Sequence, residues 1–295
     1  MHIRFMKRII ILSILITLSL IFSQLSYSGD LKEGLISAYD AYVAPNKKSI
    51  TLIAKLEKLG ALNINSDVEG EALSFYVDGD LIGKATTDEN GFAKVKYAST
   101  ESKSRKFTAK LEDSGKYSAP KDTSLIYIVD PKKPTIICDI DWTVSKTDKS
   151  TLILRDSDTK SEPLKGSANT LDDLHDHYNI IFVTAREDAL LHKTRAWLKK
   201  WHFPDFPVFY ADIGQTSYFD QEDYKSETVT KIKKDIKGTT IGIGDKDHDA
   251  AAYLKSGLTT IIIRTKGDVP EGAMKASDWD EIKDELMKEE YRNIK

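Results

Sequence analysis

The segment Asp130-Pro131-Lys132-Lys133-Pro134 divides the sequence into two parts with different hydrophobic patterns. Proline offers no backbone N–H, so this segment cannot continue a central strand and is typical of a linker. Before it the pattern is that of β-strands throughout, whereas after it apolar strands alternate with helical segments. A chain of 295 residues is long enough for two domains, and the sequence therefore predicts one on each side of the linker.

The part before the linker contains short segments in which polar and apolar residues alternate. Ser49 to Leu56 and Phe92 to Tyr97 are clear cases, and turns rich in Gly, Asp and Asn separate such segments. This pattern predicts a small all-β sandwich over residues 45–130 that folds on its own. Residues 29 to about 48 are expected to be a helical or irregular lead-in.

Two stretches of this part, Gly70 to Val77 and Ile82 to Ala93, resemble bacterial immunoglobulin-like domains of surface and exported proteins. The part contains no cluster of residues suited to acid/base or metal chemistry, so we assign no reaction to it. The resemblance implies a role in spacing or adhesion, with a partner in the cell envelope or at the cell surface. The alternative is a companion domain that only stabilises its neighbour.

After the linker, five apolar segments are typical of strands and four intervening segments are typical of helices. The strands are Thr135 to Cys138, Ile180 to Val183, Val208 to Tyr210, Thr240 to Ile243 and Thr259 to Ile263, and the helices are Ser167 to His177, Leu190 to Lys200, Lys225 to Ile236 and Ala250 to Lys255. This alternation predicts an α/β domain over residues 134–295, a doubly wound parallel sheet with helices on both faces. Ligands of such sheets bind at the carboxyl ends of the strands.

The first residues have the pattern of an export signal. Arg4, Lys7 and Arg8 are basic, and Ile9 to Phe22 is an apolar run shorter than the roughly 20 residues of a membrane span. Small residues precede Gly29, so we predict a signal peptide over residues 1–28 and a periplasmic or secreted protein. An uncleaved N-terminal anchor is the alternative.

Charge and cysteine content restrict the function further. The net charge of −3 argues against a nucleic-acid-binding protein with a broad basic surface, although it allows a local basic patch. Cys138 is the only cysteine, which excludes a disulfide within the chain. Because it lies within an apolar run, we interpret it as a buried strand residue rather than a reactive thiol.

Acidic side chains follow the first of the predicted parallel strands. Asp139 and Asp141 are two residues apart and leave an extended strand on the same side. Two neighbouring carboxylates repel each other unless a cation or a proton relieves the repulsion, and Mg²⁺ is the expected partner. A turn rich in Asp is the structural alternative for this motif taken alone.

Three further motifs follow strand ends or open helices. Thr184, followed by Ala185 and Arg186, stands where a hydroxyl and backbone N–H groups suit a phosphate oxygen, although Thr is also a routine helix cap. Lys225 is predicted to open a helix, where a cation opposes the helix dipole and so has a local cost that favours a functional role. Asp245 follows a strand directly and Asp249 comes four residues later, a pattern also typical of an acidic helix start.

The order of these motifs, an acid pair, a Thr, a Lys and an acidic cluster, resembles the haloacid dehalogenase (HAD) phosphatases over about residues 134 to 268. The resemblance implies a phosphoryl-accepting nucleophile at Asp139 and a general acid/base at Asp141. It also implies phosphate binding by Thr184, Ala185 and Lys225, and Lys225 would stabilise the nucleophile as well. The implied Mg²⁺ ligands are the Asp139 carboxylate, the Asp141 backbone carbonyl and Asp245, and the implied supporting residues are Asp249 and Arg186.

The second acid separates this interpretation from dehalogenases and P-type pumps, which lack an acid there. The spans between the motifs leave no room for a large cap domain, since an independent domain needs at least about 50 residues. An open site beside a flap over Ser145 to Gly166 suits a large or surface-presented substrate. The sequence does not reveal the oligomeric state.

Within this group the chain is most similar to lipin-type phosphatidate phosphatases. The matching residues are Asp139 to Asp148, Ala185-Arg186, Thr194 to Leu198 and the set Asp245, Asp249, Tyr253 and Gly257. Trp142 stands where the lipins have Gly, and Asp245 where they have Asn, so chemistry is implied more strongly than a lipid substrate. A polynucleotide 3′-phosphatase is a second hypothesis, which the acidic net charge and the export signal disfavour. An exported adhesion or binding protein with an inactive HAD domain is a third, which the intact motif set disfavours.

Overall fold

The computed structural model describes residues 31–47, 49–60, 65–98, 103–146, 161–211 and 221–292. The predicted signal peptide and most of the predicted flap lie outside these residues. Within the described ranges no helix is long and apolar enough to span a membrane.

The N-terminal part consists of two five-stranded sheets. The strands are β1 Lys32–Ala38, β2 Ala41–Val43, β3 Ser49–Lys58, β4 Ser66–Asp67, β5 Ala72–Val77, β6 Asp80–Thr86, β7 Phe92–Ala98, β8 Arg105–Leu111, β9 Tyr117–Ser118 and β10 Asp122–Ile128. One sheet has the order β4-β3-β1-β9, with β7 also paired to β3, and the other has the order β2-β10-β8-β5-β6. Buried side chains of both sheets, such as Leu52 and Phe75, form one hydrophobic core, so this part is the all-β sandwich that the sequence predicts.

The expected lead-in over residues 29 to 48 is wrong for its described residues. Strand β1 pairs with β3 in the first sheet, and β2 pairs in parallel with β10 in the second. Strand β1 shows little polar-apolar alternation because both of its faces are buried. Ile36 packs in the sandwich core, while the adjacent Ser37 bonds to His192 of the following domain, Oγ to Nε2 3.1 Å.

The C-terminal part contains a six-stranded sheet in which every strand pair is parallel. Its order is β13-β12-β11-β14-β15-β16, from β11 Thr135–Cys138, β12 Asn179–Glu187, β13 Val208–Ala211, β14 Thr239–Gly244, β15 Thr259–Ile263 and β16 Ala273–Ala276. The helices are α1 Ser167–His175, α2 Leu191–Lys200, α3 Gln221–Asp235, α4 Asp247–Lys255, α5 Trp279–Leu286 and α6 Glu289–Arg292, and a short 3₁₀ helix covers Asp188–Leu190. The predicted α/β doubly wound fold is confirmed, and β16 and α5 are additions that the sequence pattern did not predict.

Successive strand residues face opposite layers of this domain. Ile136 and Cys138 point towards the layer that contains α1, α2 and α5, whereas Ile137 points towards the layer that contains α3 and α4. The central strands are therefore apolar on both faces, as parallel strands covered by helices must be.

The two domains share a hydrophobic core. Strand β10 of the sandwich turns Ile126 into the sandwich core, but it turns Leu125 and Tyr127 towards the parallel sheet. These two side chains lie in one buried cluster with Ile137 and Ile181 of the second domain. The sandwich thus covers part of the sheet face that α3 and α4 leave open.

A polar network lies beside this shared core. Arg195 of α2 reaches the sandwich and pairs with Asp40 at 3.2 Å and with Asp122 at 3.1 Å. Asp40 also accepts hydrogen bonds from the Ser124 hydroxyl at 2.6 Å and from the backbone N–H of Val208 at 3.0 Å. Every oxygen of the buried Asp40 carboxylate therefore has a partner. The network links the sandwich, through Ser124, to the parallel sheet, through Val208.

Candidate active site

The motifs predicted from sequence converge because of the strand register. In the parallel sheet Cys138 lies opposite Phe182 of β12 on one side and Ile243 of β14 on the other. The residues that follow these positions therefore leave the sheet at the same edge. This edge is the carboxyl end of the sheet, where doubly wound domains bind their ligands.

A buried lysine joins two of the acids. The Nζ of Lys225 lies 2.7 Å from Oδ1 of Asp139 and also donates to Oδ1 of Asp249. All three side chains are almost completely shielded from solvent. A buried ammonium group needs anionic partners, and this one has two, so a cation and two carboxylates occupy the centre of the edge.

The predicted position of Lys225 at the start of a helix is wrong. Helix α3 begins at Gln221, so Lys225 lies one turn inside it. The cost of a cation at a helix N-terminus therefore does not apply there, since the dipole effect fades within the first turn. Lys225 is singled out by its burial between Asp139 and Asp249 instead.

Asp249 is held by the turn before α4. Its Oδ2 accepts hydrogen bonds from the backbone N–H groups of Asp245 and Lys246, both at 3.1 Å. A Cβ on Gly244 would come within 2.5 Å of the Asp249 Cβ, so only glycine allows this close approach. Asp249 thus fixes the loop that carries Asp245, and its supporting role in the reaction stays a prediction.

Asp139, Asp245 and Asp249 form a group of acids suited to a metal ion. One oxygen of each lies within 4.8 Å of the others. Oδ1 of Asp245 is buried and has no hydrogen-bond partner among the described residues, so a ligand is needed to satisfy it. Carboxylate oxygens are the ligands that Mg²⁺ prefers, and the residues present fit this ion. The role of the Asp141 backbone carbonyl as a ligand stays a prediction.

Burial and charge repulsion perturb the pKa values of these acids. Burial, with the charges of Asp139 and Asp249, raises the pKa of Asp245 to about 8. Burial also raises the pKa of Asp139 to about 6, against the opposing effect of Lys225. For Lys225 burial alone lowers the pKa, but the two carboxylates outweigh it and raise the pKa above its ordinary range. The acids around Asp245 hold more negative charge than Lys225 can neutralise.

Asp141 has a different environment from Asp139. Arg186 grips its carboxylate in a fork, with Nε at 3.1 Å from Oδ2 and Nη2 at 2.7 Å from Oδ1. The Nη1 of Arg186 donates to Oγ1 of Thr194 in α2 at 3.0 Å. Arg186 is almost fully buried at 1% exposure, so the fork and the helix fix the orientation of Asp141.

The phosphate-binding residues predicted from sequence lie near the end of β12. Thr184 is buried, and its Oγ1 accepts a hydrogen bond from the backbone N–H of Arg186 at 3.2 Å. Ala185 follows in the same strand and is half-buried. The structure brings this strand end beside the acid pair through the Arg186–Asp141 contact.

Three residues with a part in the site were not singled out as site residues from sequence. Thr143 donates through Oγ1 to Oδ2 of Asp139 at 3.4 Å, Thr194 holds Arg186, and Arg264 donates to the backbone oxygen of Asp245 at 2.9 Å. Thr143 had a signal, because a hydroxyl residue two positions after an acid pair can reach back to the strand end. Arg264 had no sequence signal, because it follows β15, a strand that carries none of the predicted motifs.

Comparison with known proteins gives one family match. Residues 136–263 match the model of the LNS2 domain of PITM 1-3. The matched range contains the site residues described above except Arg264, which directly follows it, and covers less than half of the chain. No curated protein matches the chain.

Solved structures with a similar fold include several hydrolases. A D,D-heptose 1.7-bisphosphate phosphatase from B. bronchiseptica, complexed with magnesium and phosphate, is 16% identical, covering 52% of this chain and 98% of its own, with a TM-score of 0.41. The HAD-hydrolase YfnB from Bacillus subtilis, bound to magnesium, is 21% identical, covering 43% of this chain and 57% of its own, with a TM-score of 0.35. The Pnkp1/Rnl/Hen1 RNA repair complex is 18% identical, covering 45% of this chain and 42% of that chain, with a TM-score of 0.38.

The doubly wound fold, the matched family model and the acids at the sheet edge agree with an enzyme of the HAD phosphatase type, as predicted from the sequence. This chain spans nearly the whole length of the heptose bisphosphate phosphatase. It spans about half the length of YfnB and of the RNA repair protein.

Proposed function

We propose that the protein is an exported, Mg²⁺-dependent phosphomonoester hydrolase that acts through an aspartyl-phosphate on Asp139. The observation that carries the proposal is the different environment of the two acids. Asp139 lies against a buried lysine and an incompletely satisfied acid, whereas Asp141 is held by a guanidinium fork. Two neighbouring carboxylates with different partners suit two different chemical tasks.

Asp139 is suited to the nucleophilic step. Its Oδ1 is bonded to Lys225. Among the described residues its Oδ2 has only the long contact with Thr143, so this second oxygen is available to attack. Lys225 lowers the repulsion between the carboxylate and an incoming phosphate. Mg²⁺ bound by Asp139 and Asp245 would neutralise further negative charge on the phosphoryl group.

Asp141 is suited to proton transfer. Attack by Asp139 forms an O–P bond while the bond from phosphorus to the leaving alcohol breaks, and Asp141 gives that alcohol its proton. Asp141 then takes a proton from the water that hydrolyses the aspartyl-phosphate, which restores both acids. Arg186 keeps the Asp141 carboxylate directed towards this edge during both steps. The Thr184 hydroxyl and the N–H groups beside it are suited to the phosphate oxygens.

The substrate class extends the same proposal. The site supports a phosphomonoester, either a surface-presented lipid such as phosphatidate or a smaller molecule. Export rests on the basic and apolar N-terminal pattern, and it would place the enzyme in the periplasm or outside the cell. An immunoglobulin-like sandwich, which includes β1 and β2 and extends to residue 130, beside a phosphatase domain over residues 134–295, would then provide the contact with the envelope.

A substrate screen tests the proposal. The purified mature chain is offered phosphatidate in vesicles, sugar phosphates, nucleotides and 3′-phosphorylated oligonucleotides, with and without Mg²⁺. We expect release of phosphate that depends on Mg²⁺, and binding of BeF₃⁻ to the wild type but not to Asp139→Asn. Absence of turnover with every ester, together with no BeF₃⁻ binding, would favour the inactive binding protein.

A further inference from the structure

An open groove adjoins the site at Trp142 and Asp245. It has a volume of about 550 Å³, and its lining includes Trp142, Asp245, Arg264 and Trp279. Trp142 directly follows the proposed proton donor Asp141 in sequence, and Asp245 belongs to the acidic cluster. The groove therefore begins where the leaving alcohol of a phosphomonoester would depart.

Trp142 has an unusual conformation for its residue type. Its φ is 57°, in the left-handed region that glycine adopts freely and that is strained for a bulky side chain. The side chain is 46% exposed, so burial of the ring does not offset this strain. Strain of this kind persists where the surroundings enforce it, and it clusters at functional positions.

The surroundings of Trp142 do enforce its conformation. The backbone N–H groups of Val144 and Ser145 both donate to the carbonyl of Ile140, at 3.0 Å, which closes a tight turn around Trp142. The buried Nε1 of Trp279 donates to the carbonyl of Thr143 at 2.8 Å and anchors the same turn. The turn is thus fixed independently of the indole of Trp142, which projects as an exposed aromatic surface at the groove.

Cations without local partners line the same groove. Lys146 pairs with Glu162 and Arg264 pairs with Asp247, at 2.9 and 2.8 Å. Lys165 and Lys266 are exposed, and neither makes an ion pair within the described part of the chain. Two ammonium groups that have no ion pair among the described residues, beside an exposed indole, suit a molecule that has a flat ring and an anionic group.

We propose that this groove is the leaving-group subsite of the enzyme and selects phosphomonoesters whose alcohol carries a flat ring and a second anionic group. The proposal rests on the phosphatase function proposed above. The ring would stack on Trp142, and the second anion would lie near Lys165 and Lys266. A nucleoside bisphosphate and a phosphate ester of a carboxyphenyl alcohol share this chemistry, and the experiment separates them.

Matched substrates test the ring preference. Butyl phosphate and 2-phenylethyl phosphate have alcohols of similar acidity, so they differ mainly in the ring. We expect kcat/KM to be about tenfold higher for the phenylethyl ester, since stacking of a ring on an aromatic side chain has about this effect. If neither of these esters nor any other phosphate ester is turned over, the proposed function is refuted. Equal kcat/KM values for the two esters would refute only the subsite.

Substitutions of Trp142 separate binding from strain. In Trp142→Gly we expect KM for the phenylethyl ester to rise about tenfold, while the thermal midpoint also rises because glycine relieves the positive φ. Trp142→Ala should raise KM equally without that gain in stability, and Trp142→Phe should retain most of the preference. An unchanged KM in both Trp142→Gly and Trp142→Ala would overturn the stacking role.

A second pair of substrates tests the anion. With 2-(4-carboxyphenyl)ethyl phosphate we expect a further gain of about threefold in kcat/KM over the phenylethyl ester, and Lys165→Gln with Lys266→Gln should remove it. Lys237→Gln is the matched control, because it follows α3 at the opposite edge of the sheet. If a nucleotide fits, kcat/KM for adenosine 3′,5′-bisphosphate should exceed that for adenosine 3′-phosphate. Loss of the gain in the Lys237→Gln control, or no gain with either second anion, would refute the anion site.

Discussion

Among the charged networks of the described residues, one at the domain interface differs in kind from one at the edge of the parallel sheet. At the interface, both oxygens of Asp40 accept hydrogen bonds, and Arg195 pairs with Asp40 and Asp122. At the sheet edge, Oδ1 of Asp245 has no hydrogen-bond partner among the described residues, and its pKa is raised to about 8. The interface network is complete as it stands, whereas the edge network requires a cation.

This difference indicates what each network does. A buried polar group that is fully hydrogen-bonded contributes to a unique packing, and removal of one partner leaves an uncompensated charge. A buried group without a partner is costly, and such groups are concentrated at sites that bind ligands. Substitutions in the two networks should therefore affect different properties: stability at the interface, and turnover or metal binding at the edge.

The largest expected effect is the loss of turnover in Asp139→Asn. An amide cannot form the phosphoryl intermediate, so kcat should fall to background while the circular dichroism spectrum stays that of the wild type. Asp172→Asn, an exposed acid in α1, is the matched control and should keep full activity. Wild-type turnover in Asp139→Asn would remove the basis for assigning chemistry to this edge.

Asp141→Asn should have the next largest effect. The amide cannot transfer a proton, and we expect kcat to fall by about 10²–10⁴-fold in steady-state assays. The loss should be smaller for an ester with an acidic leaving alcohol such as p-nitrophenol, because that alcohol leaves without a proton. Equal losses for p-nitrophenyl phosphate and butyl phosphate would argue against Asp141 as the proton donor.

Arg195→Met should test the interface network through stability. The change leaves the buried Asp40 carboxylate and the partly buried Asp122 without their cation, and the free energy of unfolding in urea should fall by about 3 kcal/mol. Arg105→Met removes an exposed pair with Asp78 and should cost less than about 1 kcal/mol. Similar losses in the two variants would show that the interface network is no stronger than a surface ion pair.

The same interface changes our expectation for the isolated domains. The linker and the hydrophobic pattern predict a sandwich that folds alone and a fragment 132–295 that keeps its activity. The shared cluster of Leu125, Tyr127, Ile137 and Ile181 would be exposed in that fragment. We therefore expect the two domains to unfold in one transition, and two separate calorimetric transitions would contradict this.

The last prediction concerns pH and Mg²⁺. The pKa of Asp245 is about 8 in the folded protein, against an ordinary 3.8, so the folded form holds this proton more tightly than the unfolded form. Without Mg²⁺, stability should therefore fall as the pH rises from about 4 to 8. Mg²⁺ should raise the thermal midpoint by a few degrees more at pH 8 than at pH 6, because binding must displace the proton at the lower pH.

Asp245→Asn gives the control for this effect. The amide does not titrate, so the fall in stability across this pH range should become smaller. We expect weaker Mg²⁺ binding, by about tenfold or more, with turnover recovered at high Mg²⁺. Calorimetric unfolding at several pH values measures the first effect and Mg²⁺ titration of activity measures the second. An unchanged pH dependence would place the titrating group elsewhere.

Much of the fold could be predicted from local pattern. Thr135 to Cys138 and Thr259 to Ile263 are apolar runs long enough for covered parallel strands, and the structure has strands with these bounds. Their order with the intervening helices allows few arrangements other than a doubly wound sheet. Strand β1 was missed because its two faces are buried by different domains, which removes the alternation expected of a sandwich strand.

The site divides in a similar way. The acid pair could be recognised because Asp139 and Asp141 stand together after a strand, and chemistry restricts what such a pair can do. The resemblance implied Lys225 as the partner of Asp139, but the pairing of Arg186 with Asp141 came only from the structure, because both cations reach the acids from distant segments. Helix α3 also begins before Lys225, so its burial between two carboxylates depends on packing rather than on the helix start.

The sequence by itself determined the all-β and α/β parts, the succession of strands and helices along the chain and the residues able to react, since these depend on composition and on periods of two and 3.6 residues. Only the tertiary structure decided which charges are satisfied, because hydrogen-bond partners such as Arg195 and Asp40 are far apart in sequence. It also decided that Trp142 faces an open groove in a left-handed conformation, since the turn around it is anchored by Trp279 from the last part of the chain.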